Sequence, residues 1–314
     1  MFAGTCEADL FESSRGRLEA IAYRLLGSAA DAQDAVQDTY LRWQSAERDY
    51  VESPEAWLTK VLTNICLNQL TSARARRETY VGQWLPEPLF AGDPMLGPAD
   101  TVEQRESVSM AMLTVMERLS PNERVVYVLR EAFGYPHSEI AEILEVTEAN
   151  CQQIFRRAKQ HMATGHARIE VDRVAATRIV EEFLDAAVNG NTATLIGLLT
   201  QDVVSVGDGG TFMPTLSRPL VGAESVARFL RLLVKPTENK RGKLGGAPTM
   251  FAAVVNGTPA VVITVGDQVV GLLCLEVTTA GIAAVHGQVN PDKLVRANRW
   301  WADIEHGAPL VESW

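Results

Sequence analysis

From about Glu12 to Arg77 apolar residues recur at three- and four-residue spacing, with no lasting two-residue alternation, so this stretch reads as all-helical. Trp84-Leu85-Pro86-Glu87-Pro88-Leu89 opens a stretch to about Pro98 that also holds Gly92, Pro94 and Gly97. No helix survives that density of breakers, and residues 81–101 are expected as a linker. Helical spacing resumes near Val102 and runs to about Ile169, interrupted at Gly134-Tyr135-Pro136. The pattern then changes. Two helical stretches, Asp172 to Asn189 and Thr192 to Leu199, precede strand candidates at Asp202 to Val206, Thr249 to Asn256, Pro259 to Val265, Val269 to Thr278 and Ile282 to Gln288, with one further helix pattern from Ala223 to Val234. The expected fold is therefore multidomain: two all-α units over 1–80 and 102–168, flexibly tethered, followed by an α+β domain over 169–314 with a curved antiparallel sheet.

Composition narrows the function. The 314 residues are 46% apolar and 22% charged, the balance of an ordinary globular chain long enough for two or three domains. The net charge of −10 repels nucleic acid and anionic lipid, so a nucleic-acid role must rest on local basic patches or on a partner. Cys6, Cys66, Cys151 and Cys274 are too scattered for a CxxC zinc pair or a disulfide scaffold, so no metal or cofactor is expected and a reduced cytoplasm is the simplest compartment. Cys6, Glu7, Asp9 and Glu12 stand where a secretion signal would need a basic start. The apolar run from Thr258 to Val277 is cut by Gly266, Asp267 and Gln268, which makes two strands and a turn and argues against a membrane partner.

Two basic clusters stand out: Arg74, Arg76 and Arg77, and Arg156, Arg157 and Lys159. Ser138 to Leu144 has a capping residue and places Ile140, Ile143 and Leu144 on one face. After Glu145-Val146, Thr147 can cap a second helix with Cys151, Ile154, Phe155, Ala158 and Met162 inward. Asn150, Gln152, Gln153, Arg156, Arg157 and Lys159 fall on the outer side. Two short helices, a tight turn, small Ala141 at the crossing and an outer face of amides and cations match a DNA-reading helix-turn-helix; an ordinary helical hairpin is the alternative. Amides can pair with an adenine edge, so Asn150, Gln152 and Gln153 would specify, while Arg156, Arg157 and Lys159 would hold phosphate.

Ser53-Pro54-Glu55 is a strong helix start. The helix it opens buries Trp57, Leu58, Val61, Leu62 and Ile65, and presents Lys60, Asn64 and Asn68 at four-residue steps toward Arg74, Arg76 and Arg77. The preceding Ala29–Trp43 segment forms an amphipathic helix with Asp31, Asp34 and Asp38 on its polar side. These motifs resemble the extracytoplasmic-function sigma factors of bacterial RNA polymerase: Asp31 to Trp43 is similar to region 2.2, Ser53 to Arg77 to regions 2.3 and 2.4, and Leu119-Ser120-Pro121 through Met162 to region 4. The resemblance implies that Asp34, Asp38, Leu41 and Arg42 dock on the core polymerase, with its β′ clamp and β subunits as partners. It implies also that the Arg48–Ser53 loop, Tyr50, Lys60, Asn64, Asn68, Arg74, Arg76 and Arg77 take the melted −10 element, with Tyr50 as a stacking surface. The Cys151 helix would read the −35 duplex. Glu145 occupies the turn where relatives usually have Gly.

The last 150 or so residues resemble the SnoaL-like branch of the NTF2-like cone, a sheet wrapped about helices and an apolar cavity; sigma factors with this appendage resemble one another as the SigJ group. Three short segments carry that likeness: Trp84, Leu85, Pro86 and Pro88 in the linker; Asp208-Gly209-Gly210, a turn that tolerates positive φ; and Asn290-Pro291-Asp292-Lys293-Leu294, a turn and helix start leading to Trp300 and Trp301. Thr211 and Phe212 follow Gly210 where the subgroup usually has Gly and Lys. By resemblance the domain restrains or positions the promoter-binding units in place of a separate anti-sigma protein, and its cavity admits a small-molecule ligand.

Two rivals remain. A cone-fold enzyme or sensor fused to a helix-turn-helix would use His286 and Asp208 as an imidazole–carboxylate pair. A dimeric repressor would bind duplex DNA unaided, whereas a sigma factor does little until core polymerase is present. The reading adopted is a promoter-specificity subunit, not an enzyme, with a built-in regulatory domain.

Overall fold

The computed structural model describes residues 3–47, 51–77, 80, 82–97, 104, 107–162, 173–188, 192–213, 215–216, 218–234 and 237–312, with side chains from residue 10 onward and not at 73–77 or 173. Two compact units emerge: residues 1–79, 92–108 and 112–165 make the first, and residues 80–91, 109–111 and 166–314 the second. No helix among the described residues is long and apolar enough to cross a membrane.

In the first unit, α1 (Ala3–Leu26), α2 (Ala29–Ser45) and α3 (Pro54–Arg77) pack against one another. Ser28 stops α1 from running into α2 by capping the latter, its hydroxyl accepting from the Asp31 amide at 3.1 Å. The second helical group is α4 (Met110–Met116), α5 (Pro121–Tyr127) extended by a π-helical turn at Val128–Ala132, α6 (His137–Leu144) and α7 (Glu148–Met162). A capping box starts α5: Ser120 accepts from the Glu123 amide, and Glu123 accepts from the Ser120 amide at 2.9 Å.

The two groups are not merely tethered. Arg24 at the end of α1 is fully buried and donates to Ser107 Oγ at 2.8 Å and to the Leu96 carbonyl at 2.7 Å, with its guanidinium 5.1 Å from the centre of the Phe133 ring. Arg124 of α5, also buried, donates to the Arg24 carbonyl at 3.2 Å and pairs with Glu117. Thr59 of α3 meets the Tyr135 hydroxyl at 3.0 Å. A buried arginine needs acceptors for its N–H groups, and those found here lie on α1 and on the turns at Leu96, Ser107 and Glu117, which holds these parts of the first unit together. The expectation of a flexible tether fails for this reason: hydropathy spacing marks faces, and these junctions are polar.

The second unit is built on a six-stranded sheet ordered β2-β1-β6-β5-β4-β3, from β1 (Leu199–Asp208), β2 (Leu220–Val221), β3 (Thr249–Val255), β4 (Thr258–Val265), β5 (Gln268–Thr278) and β6 (Gly281–Gln288). β3 to β6 form an antiparallel meander, but β1 pairs with β6 in parallel, so the sheet is mixed and not antiparallel throughout. Short turns force the meander strands to alternate direction, whereas β1 reaches β6 only after helices and four strands, and no hairpin sets its sense. α8 (Arg173–Val188), α9 (Thr192–Leu198) and α10 (Ala223–Val234) cover one face through Phe183, Leu195, Val226 and Leu230 against Val203, Val261, Leu273 and Val285. Leu85, Phe90, Leu294 and Trp301 cover the other against Val206, Val262, Leu272 and Cys274, the tryptophan lying on α12 (Val295–Asp303) after a 3₁₀ turn at Pro291–Lys293. The turn-then-helix expected at Asp292 is thus present, with the regular helix starting at Val295. One short helix, α11 (Glu238–Leu244), has no apolar stripe to announce it; Thr237 caps its start.

The segment expected as a linker is divided between the units. Leu89 to Ala91 pairs with the end of β3 at the sheet edge: Ala91 donates to the Val254 carbonyl at 3.0 Å, Asn256 to the Leu89 carbonyl at 2.8 Å, and the Asn256 side chain accepts from the Leu89 amide at 2.9 Å. The Pro-rich part before it is held elsewhere on the sheet, the Leu85 amide by Asp208 of β1 and the Pro86 carbonyl by Gln288 of β6. Asp93 to Gly97 instead forms a 3₁₀ turn in the first unit, with Asp93 accepting from the Met95 amide.

Candidate nucleic-acid interface

On α2, Ala32, Ala35, Val36, Thr39 and Trp43 face inward, leaving Asp34, Asp38, Leu41 and Arg42 exposed on the other side. Leu41 is 52% exposed among charged neighbours. On α3, Leu58, Leu62 and Ile65 are buried, and Trp57 and Val61 are half-buried, Trp57 packing on Trp43 with ring centres 5.3 Å apart. Asn68 is exposed, and Lys60 and Asn64 are half-buried. Lys60 Nζ lies 3.5 Å from a carboxylate oxygen of Glu145, in the turn before α7. Arg74, Arg76 and Arg77 fall in the last turns of α3, where side chains lie outside the described residues, as do Arg48 and Tyr50 altogether.

The helix-turn-helix is built from α6 and α7. Ile140, Ala141 and Ile143 are buried; Cys151, Ala158 and Met162 are buried opposite them, with Ile154 and Phe155 half-buried. α6 begins at His137 with Pro136 extended before it, so Ser138 lies inside the first turn and does not cap the helix. Thr147 does cap, accepting from the Asn150 amide at 3.2 Å. Glu145 ends α6 in the left-handed conformation, φ 56°, which a side chain adopts only with strain. Asn150, Gln152, Gln153, Arg156, Arg157 and Lys159 all face water. Two have internal partners: Gln152 donates to Glu148 one turn back on the same helix, and Lys159, 5.5 Å from the centre of the Phe155 ring, reaches Glu131 at 3.3 Å, a pairing that spacing along one helix does not reveal. The Cys151 thiol, pushed up by burial and by Glu148, stays protonated and acts as an apolar filler.

The three signature segments converge in the second unit. Asp208 is completely buried at the end of β1. Its Oδ1 accepts from the Tyr80 hydroxyl at 2.7 Å and from the Gly210 amide at 3.1 Å; its Oδ2 accepts from the Leu85 amide at 2.9 Å and from Lys293 Nζ at 2.7 Å. Lys293 also donates to the Leu85 carbonyl at 2.6 Å and sits 4.2 Å from the Trp84 ring centre and 5.1 Å from that of Tyr80, a cation among π faces. The Asn290 side chain donates to the Tyr80 hydroxyl at 3.0 Å and accepts from the Asp292 amide at 3.1 Å, and the Asn290 backbone amide donates to Gln288 Oε1 at 3.0 Å, while the Gln288 side-chain nitrogen points to the Pro86 carbonyl. Gly209 and Gly210 are needed where they stand: a Cβ on Gly209 would come 2.0 Å from the Met213 carbonyl oxygen, and one on Gly210, at φ +55°, 2.7 Å from Asn290. Burial and the Asp208 carboxylate hold the Tyr80 phenol protonated. Tyr80 itself carries no motif and was not singled out by sequence. The cation beside Asp208 comes from Lys293, 85 residues downstream, although Thr211 and Phe212 stand where a nearby lysine was the usual choice.

A cavity of about 290 Å³ lies at the helix-covered face of the sheet, lined by Ser205, Gly207, Met213, Phe229, Leu273 and Val285 among others. Asp208 and His286 do not line it. Each alternates with a residue that does, Gly207 and Val285 respectively, so each side chain projects to the opposite face, and the Asp208 carboxylate is fully engaged. The imidazole–carboxylate pair expected of an enzyme is not assembled.

The sequence matches the Sigma-70 region 2 family over residues 10–76 and the Sigma-70 region 4 family over residues 109–162. It is 39% identical over 230 residues to the ECF RNA polymerase sigma factor SigJ of Mycobacterium tuberculosis, covering 73% of each chain. A probable ECF RNA polymerase sigma factor, SigI, of the same species is 29% identical over 291 residues, 90% of this chain and 93% of that one. The crystal structure of Mycobacterium tuberculosis SigJ superposes with a TM-score of 0.70 at 31% identity, covering 92% of this chain and 98% of that chain.

Proposed function

The chain belongs to the extracytoplasmic-function sigma factors of RNA polymerase, and from that premise we propose how its surfaces divide promoter recognition. The exposed face of α2, with Asp34, Asp38 and Arg42 around the solvent-facing Leu41, docks on the core polymerase at the β′ clamp. An apolar side chain ringed by charges suits a partner surface that supplies both contact area and complementary sign. The Arg48–Ser53 loop with Tyr50, the α3 face of Lys60, Asn64 and Asn68, and Arg74, Arg76 and Arg77 take the melted −10 strand. On α7, Asn150, Gln152 and Gln153 read −35 base edges, and Arg156, Arg157 and Lys159 hold the flanking phosphates. The protein acts in the cytoplasm, where polymerase and promoter meet.

One observation carries this reading: the outer face of α7 leaves three amides and three cations in water on a helix whose other face is buried. The acidic total charge fits, because a sigma factor meets DNA as part of a larger complex. A mobility-shift series tests it. The chain alone should give weak, salt-sensitive binding to any duplex, and addition of core polymerase should produce a promoter-specific complex; tight binding to a palindrome without polymerase would favour the repressor.

The second unit regulates initiation through the Tyr80–Ala91 segment, which lies in the chain between regions 2 and 4. Docked on the sheet by Asp208, Asn290 and Lys293, this segment cannot act as free slack between them, and the restraint replaces a separate anti-sigma protein. The cavity beside β1 accepts a small molecule. Run-off transcription by full-length protein with core polymerase, wild type against Lys293→Met, reads the restraint directly; equal transcription by both would exclude it.

A further inference from the structure

We propose that the cavity behind β1 binds a neutral, mainly apolar molecule with one hydrogen-bonding group, and that its occupancy loosens the Tyr80–Leu85 segment through the turn after Asp208. This rests on the reading of the second unit as regulatory and adds the ligand class and the route.

Ser205 and Gly207 on β1 stand beside Val285 and Gly287 on β6 in parallel register and form one wall, where Thr215 and Leu273 each come within 3.3 Å of the place a Cβ would take at the two glycines. Phe229, Leu230 and Leu233 of α10 form the opposite wall. No charged side chain is among the described lining residues, and an ionised ligand would lose its hydration without compensation from them. Ser205 and Thr215 carry the only hydroxyls among the described lining residues; Thr215 donates to the Gly207 carbonyl at 2.9 Å, which leaves Ser205, itself buried, to meet a ligand. At the ~30 Å³ one water takes in the liquid, 290 Å³ holds on the order of ten non-hydrogen atoms.

The route to the linker is one short turn. Met213 and Thr215 touch the cavity on one side. On the other, the Met213 amide donates to the Gly209 carbonyl at 3.2 Å, and the Gly210 amide is held by Asp208. Gly209 has no room toward Met213, nor Gly210 toward Asn290, so displacement of Met213 and Thr215 toward the turn bears on both glycines. It passes to Asp208 and Asn290, whose bonds hold Tyr80 and Leu85.

The Leu85 amide is a built-in reporter, since Asp208 is its acceptor. Full-length protein is titrated with 1-octanol and, separately, with octanoate, following heat of binding and amide exchange. We expect saturable 1-octanol binding, octanoate weaker by at least about tenfold, and exchange at Leu85 at least about tenfold faster when 1-octanol is bound. Ser205→Ala should weaken 1-octanol roughly three- to tenfold, and Val285→Phe should abolish both binding and faster exchange. If Val285→Phe does not fold, Ser205→Ala carries the test alone. No saturable 1-octanol binding, equal affinity for octanoate, or an unaltered affinity in Ser205→Ala overturns the ligand class; binding with unchanged Leu85 exchange overturns the route. None of these readouts uses polymerase, so failure of the sigma-factor assignment, seen as failure to associate with core enzyme, stays separate.

Discussion

The outer face of α7 and the cluster around Asp208 hold similar chemistry and treat it in opposite ways. On α7, amides and cations stand in water, and the two internal bonds that exist, Gln152 to Glu148 and Lys159 to Glu131, are exposed. Around Asp208, a buried carboxylate and a buried amide are bonded to a half-buried lysine and a half-buried phenol. Groups intended for an external partner must be cheap to desolvate one at a time, while groups that hold a segment in place must satisfy each other completely. On the proposed function, the same distinction separates promoter recognition from its restraint.

The contrast is broken most directly at the buried end. Asp208→Ala leaves Lys293, Tyr80 and the Leu85 amide without their acceptor and should destabilise the second unit by about 3–5 kcal/mol in urea unfolding. Arg156→Ala, in water, should stay within about 0.5 kcal/mol; similar values for the two would erase the difference. On the exposed side, Gln153→Ala should cost about 1–3 kcal/mol of polymerase-dependent binding on one promoter and relax preference at one base pair. Arg157→Ala should weaken matched and scrambled sequences alike and lower the salt slope by about 1; a sequence-dependent loss there would reverse the assigned roles.

Smaller effects sharpen the same line within the helix-turn-helix unit. Ser120→Ala removes the capping box of α5 and should cost about 1 kcal/mol. Burial alone would raise the Glu123 carboxyl, but its bonds to the Ser120 amide and hydroxyl outweigh that and hold it below the usual 4.5. A carboxyl depressed in the folded state stabilises above 4.5 and loses that contribution as pH falls through its folded value. Wild type should therefore lose stability below pH 4.5 more steeply than Ser120→Ala, as thermal melts across that range would show. Smallest is Glu145→Gly: relief of the left-handed strain should raise stability by about 1 kcal/mol or less, offset in part by loss of the exposed pair with Lys60. A lower melting temperature would mean that the pair outweighs the strain.

Much of this was legible in the chain. Apolar periodicity located α2, α3, α7 and α10, each with one buried face, and apolar β-forming runs bounded by turn residues located four strands of the meander, all to within a residue or two, because both signals are local properties. The outer residues of α7 followed from the same spacing. What periodicity does not register is polar burial. Arg24 and Arg124, buried where they join parts of the first unit, carry no mark in the apolar spacing. Asp208, Asn290 and Lys293 were visible as signatures, but Tyr80, bonded across 128 residues, has no local mark, and the Pro-rich run looked like free chain because its partner is a sheet far along the sequence. The parallel sense of β1 was hidden for the same reason, since only adjacent strands declare their direction through the turn between them.

The central claim is that this chain reads promoters only as part of RNA polymerase, through the exposed face of α7. Gel filtration of the full-length protein with core polymerase, followed by run-off transcription from a promoter it selects, tests that most directly. Co-elution and a transcript that disappears in Gln153→Ala are the predicted result; a chain that elutes apart from core enzyme and yields no transcript would contradict it.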